Sequence, residues 1–179
     1  ASMVSPSGPT AAGKYGTGLM SLSATAAPAL KTAGTNWDIA TEAAKKYGNE
    51  MHRSSWRMIG LVHVAETNEQ AIKDVQFGLE EWTQYFEDVA VVPMVPEDRR
   101  SDPLSHLIES GMAAVGTPDV VINQIETLWE ASQGGFGCFL ITDHNWAPFE
   151  AKLKSYELIA RYVFPHFNDL NSQRVSSNK

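Results

Sequence analysis

Short, nearly continuous apolar runs alternate along this chain with longer segments whose apolar residues return every three or four positions. Runs of the first kind read as strands covered on both faces, and segments of the second kind as amphipathic helices. Ala1–Val4 reads as the end of a strand, Ser5-Pro6-Ser7-Gly8-Pro9-Thr10 as a loop, and Ala11–Gly16 as one or two turns of helix closed by glycine. Thr17–Ser23 is a short strand, and Ala24–Thr35, rich in Ala, Thr, Pro and Gly, reads as a long loop able to border a site. Thr35 or Asn36 then caps a helix with Ile39, Ala40, Ala43, Ala44 and Tyr47 on its apolar face and Gly48 at its end.

Ser55–Ala65 is the best-marked strand, and Thr67-Asn68-Glu69-Gln70 after it matches a capping box, with Gln70 reaching back to Thr67. Ile72, Val75, Leu79, Trp82 and Phe86 predict one amphipathic helix of about five turns. Val89–Pro103 has no clear period and reads as an insertion or mobile loop; its Glu97-Asp98-Arg99-Arg100 cluster is a solvated face, with a phosphate-gripping arginine as the minority reading. Leu104–Ala114 predicts a short helix. Gly116-Thr117-Pro118-Asp119 opens another, which buries Val121, Ile125, Leu128 and Trp129 and stops at Gly134-Gly135. Gly137–Thr142 is an apolar strand running into Asp143-His144-Asn145-Trp146. The last helix, Ala147–Phe167, places Phe149, Leu153, Tyr156, Ala160, Val163 and Phe167 on its apolar side. This alternation predicts an α/β fold with a parallel sheet, whose ligands bind beyond the carboxyl ends of the strands.

Composition narrows the possibilities. At 179 residues and 43% apolar, the chain suits one domain with a real core. The 14 basic and 21 acidic residues leave a net charge of −7 with no basic stripe, which argues against nucleic acid or an anionic membrane as partner. No apolar run reaches the length of a membrane span. The single Cys138 permits no internal disulfide, reads as a small buried hydrophobe, and fits a cytoplasmic protein. The chain opens inside a strand, so the expectation is a piece of something longer.

Candidate chemistry gathers at the carboxyl ends of the strands, three of the four of which carry hydroxyls or histidines. Ser5, Ser7 and Thr10, with the backbone N–H groups of Ser7, Gly8 and Thr10, lie at a helix N-terminus, where orphan donors and partial positive charge suit a phosphate. The same pattern serves an ordinary strand-to-helix turn. His144 beside Asp143 is a weak catalytic candidate, equally suited to starting a helix. His63 reads as a satisfied core or pocket histidine before a proton donor. Arg57 enters its strand at the end away from the site and reads as structural. His52, His106 and His166 lack the spacing of a metal site, and the acidic residues form no close pair suited to glycoside chemistry. Trp82 and Trp129 read as core, and Trp146 as a site edge or a staple for the final helix.

The segments SPSGPTAAGKYGTGLMSLS, SWRMIGLVHVAET, AVGTPDVVINQIETLW, GGFGCFLITDHNWA and ARYVFPHF, in this order, resemble the C-terminal half of bacterial-luciferase-like flavin-dependent monooxygenases, in the branch of limonene- and alkane-type enzymes. That resemblance covers residues 1–167, leaving 168–179 as a polar, flexible tail. It implies the second half of a (β/α)8 TIM barrel, from the end of strand five through strands six to eight with their helices. A complete barrel takes about 250 residues. It further implies that Ser5, Ser7 and Gly8 hold the phosphate of reduced FMN, which a separate flavin reductase supplies and which uses O2 to oxygenate a small organic substrate. In this family most groups lining the flavin ring and substrate come from the first half, so no catalytic residue carries over and the isolated half is expected to be inactive. Self-association or pairing with an N-terminal half follows, because a half-barrel leaves open edges and an uncovered interior. The alternatives are an F420-dependent oxidoreductase of the same superfamily and a non-catalytic half-barrel module.

Overall fold

The computed structural model describes residues 5–89, 94–142 and 145–168. The chain divides into two compact units: Ala1–Leu61, Ser110–Ala113 and Gln124–Thr142 form the first, and the remaining segments the second. Both are α/β.

In the first unit, helix α1 (Ser7–Tyr15) leads to strand β1 (Leu19–Ser21) and helix α2 (Ala27–Tyr47). α1 starts four residues earlier than predicted, so the Ser-Gly-Pro stretch is its first turn. Pro9 is tolerated there because an N–H at that point has no intrahelical acceptor to lose. Gly16 ends the helix at φ 62°, and its N–H returns to the carbonyls of Ala12 and Gly13. α2 also starts early, with Pro28 in its first turn, so the long loop predicted over 24–35 shortens to Leu22–Ala26. Small residues explain the close packing: a Cβ on Gly13 would collide with Ala40 O, and one on Gly34 would lie 2.6 Å from Gln133 Cδ. Tyr47, predicted to be buried, is exposed, and Trp37 takes the core position instead.

Strand β2 (Trp56–Val64) pairs in parallel with β1 and with the last strand, β4 (Cys138–Thr142). Registers such as Leu19↔Trp56 and Met58↔Phe139 put Leu19, Ser21, Trp56, Met58 and Phe139 on one face. Trp37 stacks on Trp56 at 5.1 Å, and Leu128 joins the same core. Trp56 also donates its indole N–H to Ser21 Oγ at 2.9 Å, which satisfies both buried polar groups.

In the second unit the predicted five-turn helix is two helices, α3 (Asn68–Val75) and α4 (Leu79–Asp88). The chain breaks at Gly78, whose N–H donates to Trp146 O at 2.9 Å and whose missing side chain makes room for the backbone of Asn145 and Trp146. Thr67 caps α3 as predicted, accepting from Gln70 N at 3.2 Å. Helix α5 (Pro103–Glu109) is started by Asp102, which accepts from Ser105 N and Ser105 Oγ. A four-residue strand, β3 (Ala113–Gly116), stands where the periodicity predicted the end of a helix; its first residue belongs to the first unit. Helix α6 (Pro118–Ala131) begins as predicted, in the second unit, and ends in the first.

Helix α7 (Phe149–Leu158) continues through a π turn, Ile159–Val163. Val163 is buried as expected, but the rest of the helix is turned away from the predicted orientation. Ser155, Leu158, Ile159 and Val163 are buried, while Phe149, Leu153 and Tyr156 face solvent. Ser155 is selected for the inner face because its Oγ accepts the buried N–H of Val64 at 2.9 Å.

Candidate functional site

The first unit holds the serine loop. Asn49, just past α2, donates its side-chain amide to Gly13 O at 3.1 Å and Lys14 O at 2.9 Å. α1 and α2 therefore end together, and both start from the side where β1 ends. Ser5, Ser7 and Gly8 lie at that start. Ser5 Oγ and Ser7 Oγ are exposed and 2.6 Å apart, sharing one hydrogen bond. The backbone donors differ from the expectation. Gly8 N–H is bonded to Ser5 O at 3.2 Å and Thr10 N–H to Pro6 O at 3.1 Å, and Thr10 Oγ1 also donates to Pro6 O at 2.8 Å. Two hydroxyls and the Ser7 amide thus remain to meet an anion at this helix start. As a small, uncharged set of donors without a cation from the first turn, they suit a phosphate or similar anion.

In the second unit, His63 is buried near the end of β2 and its Nε2 lies 3.1 Å from Asp74 Oδ2 on α3. Asp74 Oδ1 in turn accepts from Gln70 Nε2 at 2.6 Å. Gln70 therefore turns forward to Asp74 rather than back to Thr67. The histidine is a satisfied, oriented group, as the sequence favoured. Asp74 as its partner was not foreseen, although its place on the capped helix eleven residues later was a usable signal.

Asp143 and His144 lie outside the described residues, as does the strand stub Ala1–Val4. Trp146 is fully buried and its ring lies 6.1 Å from that of Trp82 on α4, against which it packs. Trp129 is only half-buried and packs on Phe136. Arg57 donates to Ser54 O at 2.5 Å, the structural role expected of it. Arg99 pairs with Glu109 and Arg100 with Glu87, so carboxylates meet both arginines of the acidic-basic cluster. Cys138 is half-buried, its Sγ 3.6 Å from Phe139 O. Among the described residues no group of three or more His, Cys, Asp or Glu is arranged to hold a metal. Among the same residues, no helix is long and apolar enough to cross a membrane.

No family model matches the chain. It is 43% identical to limonene 1,2-monooxygenase of Rhodococcus erythropolis, over 98% of its own length and 47% of the relative's. To 4-hydroxyprotoasukamycin monooxygenase of Streptomyces nodosus subsp. asukaensis it is 34% identical, over 93% of its length and 46% of the relative's. The chain thus spans about half the length of the curated relatives it matches. Among solved structures it resembles the oxygenating constituent of 3,6-diketocamphane monooxygenase from the CAM plasmid of Pseudomonas putida, a type II Baeyer-Villiger monooxygenase in complex with FMN. There the TM-score is 0.64 at 25% identity, covering 88% of this chain and 44% of that one. A coenzyme F420-dependent tetrahydromethanopterin reductase from Methanopyrus kandleri shares the fold alone, with TM-score 0.58 at 18% identity over 93% of this chain and 50% of that one.

Proposed function

Because this chain belongs to the luciferase-like monooxygenase family, we propose that it is the C-terminal half of an FMN-dependent monooxygenase barrel. In this reading residues 1–167 supply the end of barrel strand five and strands six to eight, and 168–179 form a tail. One observation carries it. In the first unit's parallel sheet Leu19, Ser21, Trp56 and Met58 are buried on one face, while Met20, Arg57, Ile59, Cys138 and Leu140, which share the other by register, are exposed or half-buried. Met20 is 40% exposed there and Leu140 37%. Parallel sheets are ordinarily covered on both faces, so this face calls for the other half of a cylinder, with strands to close it. The partner is an N-terminal half or, failing that, a second copy of the chain.

Ser5 and Ser7 hold the phosphate of the flavin through their hydroxyls and the Ser7 amide, at the start of α1 beside Gly8. Reduced FMN, when bound, supplies the oxygen chemistry acting on a small organic substrate, with O2 as co-substrate and a separate reductase as the source of electrons. The chain's own contribution is binding, orientation and exclusion of water, with His144 a weak catalytic candidate of unassigned role. Groups around the reacting centre come mainly from the other half, so the chain alone is inactive.

The test uses the assembly of both halves. Ser5→Ala with Ser7→Ala weakens FMN binding several-fold and leaves riboflavin, which lacks the phosphate, nearly unchanged. Equal losses for the two flavins would remove the phosphate role, and tight binding of F420 with none of FMN would move the chain to the deazaflavin branch.

A further inference from the structure

We propose that His63 contacts bound ligand, its Nδ1 accepting a hydrogen bond from an O–H or N–H group of the flavin or of the substrate. The inference rests on the flavin-monooxygenase reading above and adds to it a side chain at the end of β2. His63 is 2% exposed and is the last residue but one of that strand. Ligands of parallel α/β sheets bind beyond this end. Its Nε2 lies 3.1 Å from Asp74 Oδ2 on α3, and among the described residues the ring makes no other hydrogen bond. Buried polar groups are nearly always bonded, and each exception calls for a partner or a role. The bond to Asp74 satisfies Nε2 and leaves Nδ1 over.

Asp74 decides what Nδ1 does. Its Oδ1 accepts from Gln70 Nε2 at 2.6 Å, one turn earlier on α3, so the carboxylate is held from two sides. A carboxylate only accepts, so the ring nitrogen facing it carries the hydrogen. In neutral imidazole the other nitrogen then presents a lone pair. A carboxylate fixes in this way the tautomer and the aim of a histidine that works through its opposite nitrogen. Other charges nearby do not compete for the ring: Glu66, Glu69 and Lys73 are exposed, and Glu66 pairs with Lys154 at 3.6 Å. Val62, Val64 and Ala65 around His63 in sequence are buried, so the lone pair stands in apolar surroundings, where a hydrogen bond is stronger than in water. The chemistry it selects is a neutral donor. A flavin supplies one through its ring N–H or ribityl hydroxyls, an alcohol through its O–H, and a hydrocarbon supplies none.

The experiment assembles this chain, isotope-labelled at its histidine nitrogens, with the part of the Rhodococcus erythropolis limonene 1,2-monooxygenase that it does not match. Magnetic resonance of the ring nitrogens reads the tautomer while FMN, limonene and α-terpineol (limonene with the elements of water added) are titrated in turn. The expected result is a protonated Nε2 and a bare Nδ1 whose resonance moves with a donor ligand. Movement with FMN assigns the flavin as donor, and movement with α-terpineol but not with limonene assigns the substrate. His63→Gln places an amide where Nε2 stood, keeps the bond to Asp74 and removes Nδ1. Affinity for whichever ligand moved Nδ1 falls about fivefold, and for a flavin this loss is equal for FMN and riboflavin, unlike that of the serine variants. Asp74→Asn, whose amide can donate to Nε2, mixes the two tautomers and weakens the same ligand. If FMN binds but Nδ1 is protonated or answers no ligand, or if His63→Gln lowers only the melting temperature, the inference falls and the half-barrel reading stands. If the pieces do not assemble, or the assembly binds no FMN, both fall.

Discussion

Arg53 offers the sharpest stability test, because its contacts are distant in sequence and close in space. Its guanidinium donates to Ser132 O at 2.7 Å, Gly135 O at 2.8 Å and Gln133 O at 3.1 Å, closing the turn that follows α6. The same group lies 4.7 Å over the Trp37 ring and 5.6 Å over Trp56. Arg53→Ala strands the carbonyls of Ser132 and Gly135, both in buried residues, while water replaces the bond to exposed Gln133. Each stranded carbonyl costs about 1.5 kcal/mol, and the lost ring contact about 1 kcal/mol. Regained side-chain freedom offsets roughly 1 kcal/mol. The net loss is about 3 kcal/mol, a fall in melting temperature of roughly 6–12 °C for a chain of this size. Arg53→Lys keeps the charge but not the planar fork, and loses about half as much. Burial pushes the Arg53 guanidinium below its usual range and Asp38 acts against this, so the group stays charged at working pH and the difference is flat across neutral pH. Thermal melting together with urea titration at constant m-value measures it. A shift below about 2 °C for Arg53→Ala, or full rescue by lysine, would refute the clamp.

Ser155→Ala leaves the buried Val64 N–H without its acceptor and costs about 1–3 kcal/mol, read by urea titration together with faster exchange of the Val64 amide. Gly78→Ala would drive its Cβ into the backbone of Asn145 and to 2.8 Å from Trp146 Cα, destabilising by about 1–3 kcal/mol. Gly60→Ala meets the tip of the half-buried Phe139 ring instead, which swings aside, so the ranking of the two melting temperatures checks the difference between backbone and side-chain obstruction. Hydrogen bonds from Ser105 hold Asp102 below the ordinary carboxylate range. Its contribution is therefore present above the unfolded-state pKa and lost as pH falls through the folded one. Asp102→Asn flattens this part of the acid limb of stability, below the ordinary carboxylate range, and an unchanged slope would count against the cap.

What could be read from the residues alone was whatever short-range chemistry decides. β2 and β4 are continuous apolar runs, Gly16 and Gly48 stop helices by adopting positive φ, and Thr67 caps α3. Parallel α/β order followed from the alternation, and the resemblance to luciferase-like monooxygenases was carried by segments that span β1, β2 and β4 and run into the helices around them. Tertiary contacts decided the rest. α3 and α4 separate because the chain at Asn145 and Trp146 presses on Gly78. β3, only four residues with two alanines, is too short to show a period, and the bond from Ala65 N–H to Gly116 O lies outside any local window. The serine hydroxyls were visible at the helix start, whereas the loss of the Gly8 and Thr10 amides to the first turn depended on where α1 begins. α7 gives the clearest reason: periodicity reports which sides of a helix are apolar, but not which of two such sides meets the core. That choice turned on one buried amide at Val64 finding Ser155, a contact 91 residues away in sequence.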